Sequence, residues 1–541
     1  DDSTLVGSPT LSASSTQTLQ NRADPFPQLT ATYLAYTRTQ LMHSLHALLP
    51  TLTTHHALRV RLALVDALSR IAQSCVRSLD SDESAVQDIL LTTLLELGSP
   101  YESSPDVSSR ARMAICGWLQ ERQVQSRLRA ILERELGAFP AAVQSHSERR
   151  VGSCVNVIMA LTSLAREVNA GALRRDFALL LGPNGGVVRW SWPLLACLEL
   201  ARPVEMETEQ ANDGTTRAWD LARIEGSSMT DSMSGGAPAE AFPRMTLVHV
   251  ESRIMVERIA GMLEALGGAA GASGVATVEQ LLTFASARRG GAVASAALWV
   301  VGKIVDGLAR PVSADEKRVR RAARRIVDLI VDSDEAGELP LDTSAEPSTE
   351  VMTVERRRGL DTISKLLDDS KRTPIAATDS LRRAHAAIHR ELVTCLHLSL
   401  LASCAHILST SFRRHLDATL YIILSHLGSP HAFVRRHAQV ALAQISYHAG
   451  YASAQNLILD NVDYVINRVS QRMTYDRLDT LAPMVLISMV KLVGEPIVPL
   501  VQDIIADIFD ALDDFHGYAL LASTVLAVMD TLMKAMAAEV P

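Results

Sequence analysis

The feature that most constrains this chain is a stripe of apolar residues that returns at a regular spacing. In RVRLALVDALSRI, residues Val60, Leu64, Ala67, Leu68 and Ile71 stand at offsets 0, 4, 7, 8 and 11. The same offsets recur 47 residues later at Val107, Ala111, Ala114, Ile115 and Trp118, and again at Val293, Ala297, Val300, Val301 and Ile304. They return at Val434, Ala438, Ala441, Leu442 and Ile445, begin anew at Leu478, 44 residues on, and once more at Leu521, 43 beyond that. One such stripe belongs to any amphipathic helix. The interval is the constraint, because it falls in the roughly 40–47-residue period of stacked helix pairs. A chain of 541 residues with this period is too long for one ordinary core. It predicts an array in which each pair buries its stripe on its neighbours.

The clearest unit is YIILSHLGSPHAFVRRHAQVALAQISYHAG (421–450). A first helix closes near Leu427, Gly428-Ser429-Pro430 turns the chain, and a second helix opens with Val434-Arg435. That second helix sets small Ala438 and Ala441 beside Leu442, where backbones must approach closely. This order of turn, Val-Arg and alanine-spaced stripe resembles a HEAT motif, and Val60-Arg61 repeats its opening near the start of the chain. Composition agrees, since apolar residues reach 48% while aromatics are only 4%, a balance suited to helix-on-helix packing. No segment alternates with period two between hairpin turns, so no sheet domain is expected. The expected fold is all-α, a HEAT-type helical-repeat solenoid.

Breaks in the pattern divide the chain. Residues 1–28 are rich in Ser, Thr and Pro and read as a disordered lead-in. Residues 29–201 carry repeats, with breaks expected at Pro50, Ser99-Pro100, Pro140 and Gly182 to Gly186. Residues 202–244 lose all periodicity and read as a flexible insertion. Repeats resume over 245–331, with a linker expected at the Gly-rich stretch 267–274, and an acidic and polar linker follows at 332–350. Residues 351–541 form the C-terminal repeats. The chain opens on Asp1 rather than Met, which suggests a segment of something longer.

Several function classes are disfavoured. A net charge of −8 and a pI near 6.1 give no field that would draw the chain to a nucleic-acid backbone, so nucleic acid is not an expected partner. The basic run from Lys317 to Arg325 keeps Val319, Ala322, Ala323 and Ile326 as a helical stripe and reads most simply as a solvated face. Six cysteines without a CxxC pair indicate buried, reduced thiols. No uninterrupted apolar run approaches the roughly 20 residues that span a bilayer, and the polar start lacks the apolar core of a signal peptide; no membrane is expected. Gly302-Lys303 is followed by Ile304 and has Ala297 where a P-loop needs Gly. His385 and His389 stand four apart on a helix and could share a metal, yet no third ligand of suitable spacing is visible. The expectation is therefore a non-enzyme, with no catalytic residue, no cofactor and no metal.

Two polar rows near the C-terminus are candidates for partner binding. Beside the stripe Val462, Val465, Ile466, Val469 and Met473 runs a row of Asp463, Asn467 and Ser470. On a later helix Ile505, Ile508, Leu512 and Phe515 point inward, while Asp503, Asp507, Asp510 and Asp514 recur at offsets 0, 4, 7 and 11. A solvated face accommodates such rows; so does a docking surface for a basic partner. Both readings stay open at this point.

Four segments, HALRVRLALVDALSRIAQSC (56–75), WSWPLLACLEL (190–200), NLILDNVDYVINRVSQRM (456–473) and PLVQDIIADIFDALDDFH (499–516), resemble the Tel-two-interacting protein one family. The resemblance implies a HEAT-repeat scaffold subunit of the TTT co-chaperone complex. It implies as partners the Tel-two and Tel-two-interacting-two type subunits, phosphatidylinositol-kinase-related protein kinases (PIKKs) and a heat-shock chaperone adaptor. It also implies a cytoplasmic and nuclear location, and carries over no catalytic residue. A nuclear transport carrier and a phosphatase-type scaffold share the repeat and are the alternatives.

Overall fold

The computed structural model describes residues 31–74, 85–118, 122–167, 171–182, 193–203, 241–287, 291–309, 316–337, 374–429, 431–472, 482–500 and 526–534. Among these residues every extended element is a helix, and β structure is confined to two isolated bridges. The chain divides into two compact units, Asp1–Cys197 with Ser252–Ser273, and Leu198–Glu251 with Gly274–Pro541.

The first unit is built from α1 (Ala31–Thr53), α2 (Leu58–Ser74), α3 (Ala85–Leu97), α4 (Pro105–Trp118), α5 (Arg122–Gln144), α6 (Glu148–Glu167), α7 (Gly171–Leu180) and α8 (Arg253–Ala270). Its packing has the order of a repeat array. Helix α1 packs on α3, α2 on α4, α3 on α5, α4 on α6 and α5 on α7, and sequence neighbours such as α3 and α4, or α5 and α6, pack together as well. Helix α8 closes this unit by packing on α6 and α7 across the long gap in sequence.

The stripes explain which faces are buried, with one rotation. Val107, Ala111 and Ile115 of α4 are fully enclosed. On α2 the enclosed residues are Leu64, Val65 and Leu68, whereas Ala67 is exposed and Val60 half-buried. Helix α2 faces both α1 and α4, which turns its buried face toward Val65. Two expected breaks also move. Pro50 and Pro140 lie inside the closing turns of α1 and α5, and those helices run on to Thr53 and Gln144. Each proline removes one N–H donor to the carbonyl four residues back, and its helix continues only about one turn beyond it, so it stands near the end without making it. The Gly98-Ser99-Pro100 turn falls where the sequence places it.

The second unit contains α9 (Gly274–Ala287), α10 (Ala292–Leu308), α11 (Glu316–Gly337), α12 (Pro374–Leu408), α13 (Leu416–Leu427), α14 (Ala432–His448), α15 (Ala454–Asp460), α16 (Val462–Arg472) and α17 (Ala482–Val493). The alternation repeats, with α9 on α11, α10 on α12, α11 on α13 and α12 on α14. Helices α10 and α17 are enclosed on nearly every side, which accounts for sequences as apolar as AVASAALWVV and APMVLISMV.

Two further expectations are corrected. The stretch 267–274 is not a linker: Gly267 and Ala270 are buried in the last turn of α8. Gly271 ends that helix at φ 55°, donating its N–H to the Gly267 carbonyl, a conformation glycine adopts without strain. The acidic segment begins later than expected, because α11 continues to Gly337. The run Lys317–Arg325 lies on α11 as a solvated face, with Ala322, Ala323 and Ile326 buried and Arg321, Arg324 and Arg325 exposed.

The remainder of 332–350, the lead-in 1–28 and most of 202–244 lie outside the described residues. The two ends of that insertion are described, and they meet. Ala201 N–H donates to the Thr246 carbonyl at 2.8 Å, and Val248 N–H to the Glu199 carbonyl at 2.9 Å. The insertion therefore leaves and re-enters the unit through one antiparallel neck.

Two stretches, Arg253–Ser286 and His385–Leu427, are long and apolar enough to cross a bilayer by length and composition, contrary to the expectation from uninterrupted runs. About half of each most apolar window is buried in the protein, at 44% and 56%, as the interior helices of an array require.

Candidate partner-binding site

The site is built on α13 to α17. Its framework is the best repeat. Val434, Ala438, Ala441, Leu442 and Ile445 are each at most 1% exposed, on a helix that packs against α12 and α13. Arg435 secures the turn before it, donating from Nη1 to the Ser429 carbonyl at 2.8 Å. Arg61, in the same motif position, does something else: it pairs with Glu102 and donates to Ser103 Oγ at 2.9 Å, tying α2 to the turn after α3. The Val-Arg motif thus supplies a turn-fixing cation in both places, for its own turn in one and a neighbour's in the other.

The C-terminal end of α14 is closed by Gly450 at φ 77°. Arg413 donates to the Ala449 and Gly450 carbonyls, both at 2.9 Å, and stacks over the Tyr451 ring. These bonds satisfy carbonyls that a helix end leaves unpaired. Inside α14, His437 donates from Nδ1 to the Phe433 carbonyl at 2.8 Å and packs against the rings of Phe433 and Phe242. Burial pushes its pKa down to about 4, so it is neutral at physiological pH.

Helix α16 is held from three sides. Val462, Val465 and Val469 are buried on a helix that packs against α13 and α17. Asn461 caps the preceding helix by donating to the Leu457 carbonyl at 2.8 Å and to Tyr451 Oη at 3.2 Å. Arg472 is buried, stacks over the Tyr421 ring at 4.2 Å and donates to Asp334 Oδ2 at 3.4 Å. The sequence puts Asp334 in a linker; in the structure it sits on α11 and orients this arginine.

Held this way, α16 turns Asp463 and Asn467 to solvent, as the sequence predicts, with Ser470 half-buried at the edge of the row. The fold adds Tyr464, which is 55% exposed, and Gln471 to the same surface. An aromatic ring on the polar side of an amphipathic helix is the signal that sequence reasoning passed over, and exposed Tyr is enriched at binding hot spots. Met473 and the column Asp503, Asp507, Asp510 and Asp514 lie outside the described residues.

Four cysteines of the fold are unreactive. Burial pushes Cys154 and Cys197 up to about 12, and raises Cys395 and Cys404 as well, so each stays protonated and poorly nucleophilic. One expectation about metals changes. His385 and His389 do have a third potential ligand beside them, Glu199, brought from the neck of the insertion.

The family model described as TELO2-interacting protein 1 matches residues 420–509, which include most of α13 and all of α14 to α17. The TELO2-interacting protein 1 homolog of Mus musculus is 32% identical over 143 residues, covering 26% of this chain and 13% of that protein. TEL2-interacting protein 1 of Saccharomyces cerevisiae is 26% identical over 129 residues, covering 24% of this chain and 12% of the yeast protein. Among solved structures, the karyopherin Kap121p bound to the extreme C-terminus of Cdc14p aligns over 94% of this chain and 46% of its own, at 12% identity and a TM-score of 0.32. The matched segment thus spans only a small part of the curated relatives, and the family model covers the most regular repeat and the polar face of α16. Over residues 420–509 the chain is therefore similar to the TELO2-interacting protein 1 family.

Proposed function

We propose that this chain is a non-catalytic scaffold that binds a TELO2-type subunit through the exposed face of α16, within a TTT-like co-chaperone assembly that supports maturation of PIKKs in the cytoplasm and nucleus. The observation that carries this reading is the position of that face. Asp463, Tyr464, Asn467 and Gln471 are exposed on a helix whose opposite side is fixed by a buried arginine, inside the segment that matches the family. A repeat array acts by presenting such ridges, and a rigid ridge binds with little ordering cost. A merely solvated row has some support: Asp463 lies in the first turn of α16, where a carboxylate complements the helix dipole by roughly 0.3–1 kcal/mol. Tyr464, 55% exposed on the same face, supports the binding reading instead.

The test is affinity capture of the tagged chain from cell extract. Co-capture of TELO2-type subunits and PIKKs supports the proposal. Capture of a small GTPase and nucleoporins would favour a transport carrier, and a phosphatase catalytic subunit would favour a phosphatase scaffold.

A further inference from the structure

We infer that Glu199, His385 and His389 form a zinc-binding site that clips the neck of the insertion to the long helix α12. Glu199 and His385 stand 186 positions apart in sequence, yet all three residues belong to one compact unit. His385 Nε2 lies 3.3 Å from His389 Nε2 and 3.3 Å from Glu199 Oε1, while His389 Nε2 lies 3.9 Å from the same oxygen. A tetrahedral zinc with bonds of about 2.0–2.1 Å places its ligand atoms about 3.3–3.4 Å apart. Two of the three separations already have that value, and the third needs a shift of about half an ångström, within reach of a glutamate side-chain rotation.

The surroundings orient the donors. His389 is 1% exposed, and its Nδ1 lies 2.9 Å from Ser295 Oγ, itself buried. Ser295 donates its hydroxyl proton to the Ala292 carbonyl at 2.9 Å. Its oxygen must therefore accept from His389 Nδ1–H. This fixes the tautomer and leaves Nε2 with its lone pair aimed at His385 and Glu199, the orienting partner that metal-bound histidines almost always have. The i, i+4 spacing on α12 puts both imidazoles on one face. Glu199 is held by its own backbone, whose carbonyl accepts from Val248 N–H in the neck, while the neighbouring Leu200 is buried. His385 is 58% exposed, so the open side admits a metal ion and leaves room for a water as fourth ligand. Two imidazoles and a carboxylate suit zinc better than the hard cations, which prefer all-oxygen shells.

The experiment is zinc titration of the purified, metal-stripped chain by calorimetry, with cobalt absorption as a check on coordination geometry. About one zinc per chain should bind, and zinc should raise the melting temperature by roughly a few degrees, because a ligand that binds only the folded state stabilises it. His385→Ala leaves the core untouched, so its metal-free melting temperature should match wild type while zinc affinity falls roughly 100-fold. Ser295→Ala should weaken zinc roughly 10- to 100-fold through the lost orienting bond. Glu199→Gln, which keeps the shape, should weaken it too. Absence of stoichiometric zinc uptake, or wild-type affinity in His385→Ala, would overturn the assignment.

Discussion

Replacing His437 by glutamine should remove a defined part of the acid sensitivity of the second unit. The ring is 1% exposed and its pKa falls from 6.5 to about 4 through burial, partly offset by the bond to Phe433. A base held neutral in the fold takes up its proton only on unfolding. The unfolded state therefore binds more protons below pH 6.5, and stability is lost as pH falls from there toward 4. At about 1.36 kcal/mol for each pH unit between those two values, the full effect is about 3 kcal/mol, of which about 2 kcal/mol is lost between about pH 7 and pH 5. A glutamine in its place does not titrate, and any packing cost it brings is the same at both pH values. The assay is urea unfolding followed by circular dichroism at about pH 7 and about pH 5. The stability difference between wild type and His437→Gln should shift by about 2 kcal/mol in favour of the variant on acidification. A difference that does not change with pH would refute the claim that His437 is buried and neutral. His397, His426 and His448 are also pushed down to about 4, so wild type as a whole should become less stable across the same window.

Ala441→Phe should overpack the contact of α14 and lower stability by roughly 1–3 kcal/mol; an unchanged melting temperature would mean that this face is not buried. Deleting residues 204–240, which spares Pro203 and the Phe242 ring on His437, and joining the ends with a short Gly-Ser linker should preserve helical content and melting temperature, because Ala201 and Thr246 are already hydrogen-bonded neighbours. Loss of the folded state would show that the insertion contributes core. The double change Asp507→Lys with Asp510→Lys should weaken partner binding most at low salt, with little effect on the melting temperature; wild-type affinity at low salt would reduce that column to a solvated face.

Periodicity made the helices and their buried faces legible. The stripe at Val434 to Ile445 is enclosed as its spacing requires, and α11 segregates its exposed arginines from its buried alanines. What the sequence concealed depended on contacts between distant residues. Nothing near Asp334 in the chain points to Arg472, and nothing near His385 points to Glu199. Chain breakers misled for a local reason. Pro50 and Pro140 disrupt one hydrogen bond each, which a closing turn tolerates. Gly267 keeps its carbonyl hydrogen bond inside α8, where a glycine costs only about 1 kcal/mol relative to alanine. The row on α16 was readable from amphipathicity alone, but the ring of Tyr464 gained meaning only once its neighbours were seen to be exposed.

Docking of a TELO2-type subunit on the face of α16 is tested most directly by the affinity of the purified chain for that purified subunit, measured for wild type and for Tyr464→Ala combined with Asn467→Lys. Both substitutions fall on exposed positions, so the melting temperature should hold within about a degree or two. Binding should weaken roughly tenfold or more, corresponding to about 1.4 kcal/mol or more. Equal affinity of the two proteins, or no binding by the wild-type chain, would contradict the account.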